Sequence, residues 1–185
     1  AVTGDFLVQV SNGNLNQGNS LSDALSVSGL AGFSNTSGGV SLTNTFNHLA
    51  GGLSVSAASA SIANSGLLTL KGAEISSALN LDNRGGNVVQ GSATGDSLRI
   101  TGLTTVNNSA GDIALDPRSN AFGGGLSLSG ASANIGHSGT LTFAASTLSG
   151  ALTVNNTGGA ILQSAALSLS GLGSFTNPGG AITLN

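Results

Sequence analysis

The stretch Leu98-Arg-Ile-Thr-Gly-Leu-Thr-Thr-Val-Asn-Asn-Ser-Ala-Gly-Asp-Ile-Ala-Leu115 occurs in three versions along the chain. Its counterparts run from Leu25 to Leu42 and from Leu167 to Leu184. Nine apolar, Gly or Asn positions keep their chemical type in all three versions, whereas the polar residues between them change. A constant framework with variable intervening positions is typical of stacked structural units. The sequence therefore predicts a repeat protein, and we call the segment between equivalent positions the long repeat.

Short alternating segments also fill the rest of the chain. They place apolar residues on both sides of a polar or small residue, and Gly, Asn or Ser follows soon after. Such triplets begin at residues 8, 25, 40, 53, 68, 79, 98, 113, 126, 141, 152, 167 and 182. A period of two indicates strands with one buried face, and Gly and Asn suit the turns between them. Because Gly, Asn or Ser interrupts every window of helical spacing, we expect no helices.

The spacing of these strands predicts an all-β, single-stranded parallel β-helix (a β-solenoid) that continues through residues 1–185. We expect coils of roughly 18 to 20 residues, each stacked about 4.8 Å from the last, and therefore about nine to ten coils. The long repeat would then span about four coils. We place its copies at residues 1–44 (partial), 45–116 and 117–185.

The other half of the repeat is also visible. Residues 79–90 match residues 152–163 and, more loosely, residues 8–17. We align Asn44-Thr-Phe46 with Asn120-Ala-Phe122, which leaves a short insertion before Leu53 in the earlier copy. Such an insertion is typical of the loops of a solenoid.

The composition excludes several classes of protein. Charged residues are 6% and the net charge is −3, with four basic residues in all. Nucleic-acid binding is therefore not expected, because it needs a basic stripe. The chain lacks the roughly 18 continuous apolar residues of a membrane-spanning helix, and its 39% hydrophobic content argues against disorder. No targeting segment is visible and the chain does not begin with Met, so we expect a mature segment or a piece of a longer protein.

The Gly/Asn/Ser-rich motifs of residues 120–128 and 179–184 resemble the repeat regions of large bacterial exoproteins. The chain is most similar in this respect to filamentous-haemagglutinin-like adhesins, including biofilm-matrix adhesins exported by two-partner secretion. The resemblance implies a right-handed parallel β-helix, secreted to the bacterial surface or the extracellular matrix. It also implies a rod that holds an adhesive tip away from the cell or binds matrix polysaccharide.

The charged residues cluster between positions 82 and 118 and contain the candidate site. Asp82, Arg99 and Asp116 are equally spaced along the chain, which could align them on successive coils, and Arg84 lies beside them. We predict a surface charge ladder, in which each exposed pair contributes about 0 to 1 kcal/mol. A ligand or calcium contact and a polysaccharide-cleaving site are the alternatives. We predict no catalytic residue, cofactor or repeat-encoded metal site, because no Asp follows the Gly-Gly pairs at the required position.

Other residue types receive structural roles. His48 falls in the proposed insertion and His137 aligns with Asn64, and we predict both as non-catalytic loop residues. The Phe residues are predicted to lie in the core. The Asn residues at 35, 108 and 177 are predicted to turn corners and to form side-chain amide ladders along the stack.

Three functions follow from this interpretation. The first is a non-catalytic structural and adhesive rod segment of a secreted adhesin, with cell-surface or matrix glycans and the neighbouring coils of a longer chain as partners. The second is a filament subunit whose coils stack end to end on those of neighbouring copies. The third is a polysaccharide-binding or polysaccharide-cleaving β-helix.

Overall fold

The computed structural model describes residues 1–109 and 111–185, without the side chains of residues 117–119. The described residues form parallel strands and two single-turn 3-10 helices, residues 21–23 and 94–96. The strands are β1 (Phe6–Val10), β2 (Leu15–Asn16), β3 (Ser26–Val27), β4 (Ala31–Leu42), β5 (His48–Leu49), β6 (Leu53–Asn64), β7 (Leu68–Ile75), β8 (Leu79–Asn83), β9 (Val88–Gln90), β10 (Leu98–Ile100), β11 (Thr104–Asn108), β12 (Ile113–Phe122), β13 (Leu126–Gly130), β14 (Ala133–His137), β15 (Leu141–Phe143), β16 (Ser146–Leu148), β17 (Leu152–Asn156), β18 (Ile161–Gln163), β19 (Leu167–Leu169), β20 (Gly173–Thr176) and β21 (Ile182–Thr183).

The strands stack into three faces that follow one another around each coil. Face 1 contains β1, β10, β15, β18 and β21, with the first halves of β4 and β6 and the ends of β7 and β12. Face 2 contains β2, β8, β11, β13, β16 and β19, with the ends of β4 and β6. Face 3 contains β3, β5, β9, β14, β17 and β20, with the starts of β7 and β12. The predicted parallel β-solenoid is therefore confirmed.

Columns of aliphatic side chains fill the space between the faces. One column on face 2 consists of residues in direct register that are at most 2% exposed: Leu42, Ile62, Leu81, Val106 and Leu128. Each member removes its apolar surface from water, which contributes about 25 cal/mol per Å². Because every coil adds one such layer, the core grows with the length of the rod.

The coils are less uniform than predicted. Leu79 pairs with Thr104, whereas Asn120 pairs with His137, so the first of these coils is much longer than the second. The chain makes about eight turns, so the prediction of nine to ten coils is too high. At about 4.8 Å per turn, the rod is roughly 38 Å long.

The long repeat spans three coils and one additional face, not four coils. The apolar triplet that begins at Leu25 leads into β3 on face 3, its copy at Leu98 lies on face 1, and the copy at Leu167 lies on face 2. Each repeat therefore turns its equivalent residues to the next face of the rod.

Glycine marks the same corner in every repeat. Gly13, Gly86 and Gly159 have φ angles of 79°, 76° and 69°, and they are equally spaced along the chain. An L-residue with a side chain is disfavoured there by about 1 to 2 kcal/mol. The predicted role of glycine at the corners is confirmed.

The alignment of Asn44-Thr-Phe46 with Asn120-Ala-Phe122 is wrong. Asn47 and Leu49 make the same hydrogen bonds as Asn120 and Phe122 in the next repeat, so no insertion precedes Leu53. Phe46 is consequently not a core residue: its exposed fraction is 59%, whereas Phe33, Phe122 and Phe143 are buried as predicted. No helix in the described part of the chain has the length and apolar character of a membrane span.

Candidate functional site

The charged residues that the sequence singled out lie on different faces. Asp82 is on face 2, where it forms an ion pair of 2.9 Å with Arg84. Arg99 is on face 1 and is in register with Glu74 and Ala121. Asp116 lies on β12 and accepts a 2.6 Å hydrogen bond from the side chain of Asn134 on face 3.

The predicted ladder of Asp82, Arg99 and Asp116 is therefore not formed. It assumed that one coil is as long as the spacing between these three residues. Arg99 instead stacks between Glu74 and Ala121, which both lie farther from it along the chain than Asp82 and Asp116 do. Arg99 is therefore not held between the two carboxylates. The Asp82–Arg84 pair is a local surface interaction.

Buried amides form ladders that connect the coils, which the charged residues described above do not. On face 2 the side-chain nitrogen of Asn64 donates to Asn83 (2.9 Å), and that of Asn83 donates to Asn108 (3.1 Å). All three side chains are at most 1% exposed. The predicted amide ladder is thus present at Asn108, whereas Asn35 lies between Val10 and Ala57 and bonds backbone oxygens instead.

The same ladder recurs on face 3 with a histidine as its first member. His137 contacts Asn156 (3.1 Å), and Asn156 donates to Asn177 (3.2 Å). The Nε2 atom of His137 accepts a 3.1 Å hydrogen bond from the backbone N–H of Phe122. Burial lowers the pKa of His137, although hydrogen bonds to Asn156 and Gly139 oppose the shift.

The loop role predicted for His137 is wrong, because its side chain is 2% exposed within β14. A histidine fits this position because its two ring nitrogens reproduce the acceptor and donor of Asn64. The loop role predicted for His48 is also wrong, because it lies in strand β5, where its side chain is exposed.

A reciprocal pair of amides closes each of two corners. Gln17 and Asn47 exchange hydrogen bonds of 2.7 and 2.8 Å, and their equivalents in the next repeat, Gln90 and Asn120, exchange bonds of 2.8 and 2.9 Å. We call each pair a clamp. Asn120 also accepts from the backbone N–H of Leu98 and donates to two backbone oxygens, so the second clamp satisfies several buried polar groups together.

Each clamp holds a protruding loop at its base. The loops are residues 18–24 and 91–97, and each contains a 3-10 turn. Asp23 accepts from the backbone N–H of Ser20, and Asp96 accepts equivalently from Ala93. The hydrogen bonds from the Ser20 side chain and backbone lower the pKa of Asp23.

The third repeat has a shorter loop at this place. Only residues 164–166 separate Gln163 from Leu167, so this loop is less than half as long as the other two. The difference explains why Leu167 follows Leu98 at a shorter distance along the chain than Leu98 follows Leu25. The loops also point from different corners, because residues 18–24 join face 2 to face 3 and residues 91–97 join face 3 to face 1.

A row of uncharged polar side chains runs along the outside of face 2. One row in continuous register consists of Asn16, Ser41, Ser61, Asn80, Thr105 and Ser127. Successive members lie about 4.8 Å apart, as stacked strands require. This row, which we call the polar row, offers regularly spaced hydrogen-bond donors and acceptors.

The chemistry of these surfaces is that of hydrogen bonding. Within the described residues, no group of three or more His, Cys, Asp or Glu side chains is placed to hold a metal ion. The polar row and the two clamped loops are accordingly the candidate functional surfaces.

The repeat structure corresponds to a known family. The model described as repeats of unknown function (DUF5649) matches residues 1–56, 57–129 and 130–185. The chain belongs to the DUF5649 repeat family. The middle DUF5649 unit is as long as the spacing from Leu25 to Leu98, and our middle copy, residues 45–116, divides the same array at another point. No curated protein and no solved structure matches the chain.

The clamps were not predicted from the sequence, although recurring polar residues indicate them. Gln17 and Gln90 occupy the same position of successive repeats, and Asp23 with Asp96 and Asn47 with Asn120 follow them at identical spacings. Polar residues that recur in phase with the apolar framework indicate a buried network.

Proposed function

We propose that the chain is a structural and adhesive rod segment of a secreted bacterial adhesin, without enzymatic activity. The observation that carries this proposal is that the inner hydrogen bonds recur with the long repeat while the exposed residues differ. The Gln17–Asn47 and Gln90–Asn120 clamps are one example of the constant interior. The loops that they hold, residues 18–24 and 91–97, differ at most of their positions.

A constant interior with a variable exterior suits a scaffold that keeps its shape and alters its contacts. Parallel strands join each coil to the next, and neutral amides satisfy many of the polar groups that are buried at the corners. We therefore expect the rod to tolerate changes in salt concentration, which screen charge pairs but have little effect on buried neutral hydrogen bonds.

The chemistry of the polar row favours glycans as partners. Its hydroxyl and amide groups match the donors and acceptors of sugar hydroxyls, and the row carries no charge that would select an acidic partner. The resemblance to filamentous-haemagglutinin-like adhesins supports the same partner, together with secretion to the cell surface or the matrix.

Binding to immobilised neutral and acidic polysaccharides tests this proposal. A variant of the polar row, Ser61→Ala with Asn80→Ala and Thr105→Val, should weaken binding at least several-fold, because each change removes one hydrogen-bonding group from face 2. The matched control is Gln9→Ala with Ser34→Ala and Ser56→Ala, a row in register on face 1.

Equal losses in the two variants, or no binding by the unaltered chain, would overturn the adhesive part of the proposal. Cleavage of any polysaccharide during the assay would overturn the non-catalytic part. Light scattering across a concentration series examines the filament alternative, because end-to-end stacking makes the mass grow with concentration.

A further inference from the structure

His137 lies at the junction between two repeat units. Phe122 belongs to the unit that ends at residue 129 and His137 to the unit that begins at residue 130. The hydrogen bond from the Phe122 backbone N–H to His137 Nε2 joins them, and the two rings stack with centroids 5.7 Å apart. In the preceding repeat the oxygen of Asn64 accepts the equivalent bond from the backbone N–H of Leu49, at 2.9 Å.

The partners of His137 determine where its proton lies. A backbone N–H only donates, so Nε2 must be unprotonated, and the proton of the neutral ring is on Nδ1. Nδ1 then donates to the side-chain oxygen of Asn156, whose nitrogen donates to Gly139, Gly158 and Asn177. A second proton on Nε2 would place two donors against each other and leave the Phe122 N–H without its acceptor.

Among the described side chains, none that contacts the ring offers a counter-charge. The groups in contact with the ring are the Phe122 ring, the Phe122 backbone N–H, the Asn156 side chain and Gly139, and strands β14 and β17 contain no other ionisable residue. On β12 the carboxylate of Asp116 bonds Asn134, and the side chain of Arg118 lies outside the described residues. From residue 119 to residue 185, His137 is the only ionisable side chain in the sequence.

We propose that His137 is an acid-sensitive latch between the second and third repeat units. Protonation of Nε2 releases the Phe122 backbone and loosens the junction, whereas the Asn64 junction does not titrate and stays closed. This proposal is independent of the proposed function.

The direction of the pH dependence follows from the burial of the neutral ring. Burial lowers the pKa of His137 in the folded chain below its ordinary value of 6.5. The unfolded chain therefore binds the proton more readily than the folded chain does. The stability that depends on neutral His137 is fully present above about pH 6.5. As the pH falls from there to the folded pKa, the folding equilibrium constant decreases by up to about tenfold per pH unit.

Two substitutions separate this effect from general acid sensitivity. His137→Asn introduces the residue that position 64 already carries, and His48→Asn removes the exposed histidine. Urea unfolding between about pH 7.5 and pH 5 should show a decrease in stability for the unaltered chain and for H48N, but not for H137N. An equal pH dependence in H137N would overturn the proposal.

Measurements on the unaltered chain keep the test decisive even if H137N does not fold. The protection of the Phe122 amide against hydrogen exchange should fall with acid, while that of the Leu49 amide should not. Nitrogen-15 NMR of His137 should show the Nδ1–H tautomer and a pKa below 6.5. An Nε2–H tautomer, a pKa that is not lowered, or equal loss of protection at both amides would overturn the proposal.

Discussion

Asn83 lies in the middle of the face 2 amide ladder, and its side chain is fully buried. Its oxygen accepts from Asn64, and its nitrogen donates to Asn108 and to the backbone oxygens of Gly85 and Gly86. At this scale the rod depends on a few buried polar atoms that find partners both in their own coil and in the adjacent coils. An amide suits this position because it supplies a donor and an acceptor without charge.

Replacing Asn83 with Ala should therefore destabilise the rod by about 2 to 4 kcal/mol, because buried groups of Asn64 and Asn108 and two backbone oxygens lose a partner. Urea denaturation measures the loss. Asn80→Ala, an exposed position on the same strand, is the control and should change stability by less than about 0.5 kcal/mol. Similar values for the two variants would contradict a structural role for the ladder.

Thr104 presents the opposite case, a buried polar atom without a partner. Thr104 is 1% exposed, and its side-chain hydroxyl has no hydrogen-bond partner among the described residues. The equivalent position in the first repeat is Ala31, which has no polar side-chain atom. Thr104→Val keeps the shape and removes the hydroxyl, so we expect a gain of about 1 kcal/mol.

The midpoint of urea unfolding tests this prediction as well. Thr105→Val on the same strand points outward and should leave the midpoint nearly unchanged. A lower midpoint for Thr104→Val than for Thr105→Val would show that the hydroxyl is satisfied in solution.

At the scale of elements, the clamps determine how strands meet at corners. The loop of residues 91–97 leaves the core at Gln90 and returns at Leu98, and both ends bond Asn120. Strand pairing alone does not fix such a corner, since within the loop only its end residues, Gly91 and Ser97, share backbone hydrogen bonds with the adjacent coil. The clamp supplies the missing connection from within the core.

The clamp should consequently behave as a unit. In a double-mutant cycle, Gln90→Ala and Asn120→Ala should couple by about 1 to 2 kcal/mol, because each residue has its main partner in the other. Gln163→Ala provides the control: Gln163 is the third copy of Gln90, is only partly buried and accepts a hydrogen bond from the backbone N–H of Asn185. It should cost less than about 1 kcal/mol, and zero coupling in the cycle would refute the clamp.

At the scale of the whole molecule, the repeat unit and the coil are different units. One repeat is three coils plus one face, so equivalent surfaces of successive repeats point in three directions around the rod. A ligand surface carried by each repeat would thus reach partners on all sides.

Because the repeat and the coil differ in length, two deletions can show which of them is the structural unit. Removing residues 31–103 puts Thr104 in the place of its equivalent, Ala31. Gln17 can then form a clamp with Asn120, so the shortened chain should keep a cooperative unfolding transition. X-ray scattering should show a rod shortened by roughly 16 Å, which is three and a third turns at about 4.8 Å each.

Removing residues 31–97 is the matched control. That deletion takes out three full coils and preserves the faces, but it places Ala114 where Gln17 needs its amide partner. We expect it to be several kcal/mol less stable than the first deletion, on the order of a lost buried network. The reverse order of stabilities would show that coils, not repeats, are the structural unit.

The sequence predicted the positions of the strands better than it predicted how the coils stack. Each of the thirteen alternating triplets lies within or overlaps a strand, because a large apolar residue at every second position is a local signal. Other strands, such as β14 and β20, contain no such triplet. They are strands because the neighbouring coils provide partners.

The candidate surfaces depend still more on tertiary structure. The ladder of Asp82, Arg99 and Asp116 failed because coil lengths differ, which spacing along the chain does not reveal. The prediction of a loop position for His137 took no account of its alignment with Asn64, which already marked a repeated position. Its burial follows from partners on two other coils.

By itself, the sequence determined that this chain is a repetitive, all-β, parallel stack with glycine corners, since periodicity and turn chemistry act over a few residues. Only the tertiary structure decided the register between coils, the rotation of each repeat by one face, and which polar residues are buried. Register is a property of residues that lie a whole coil apart, and it is set by hydrogen bonds such as the Gln90–Asn120 clamp. Those bonds exist only once the coils have stacked.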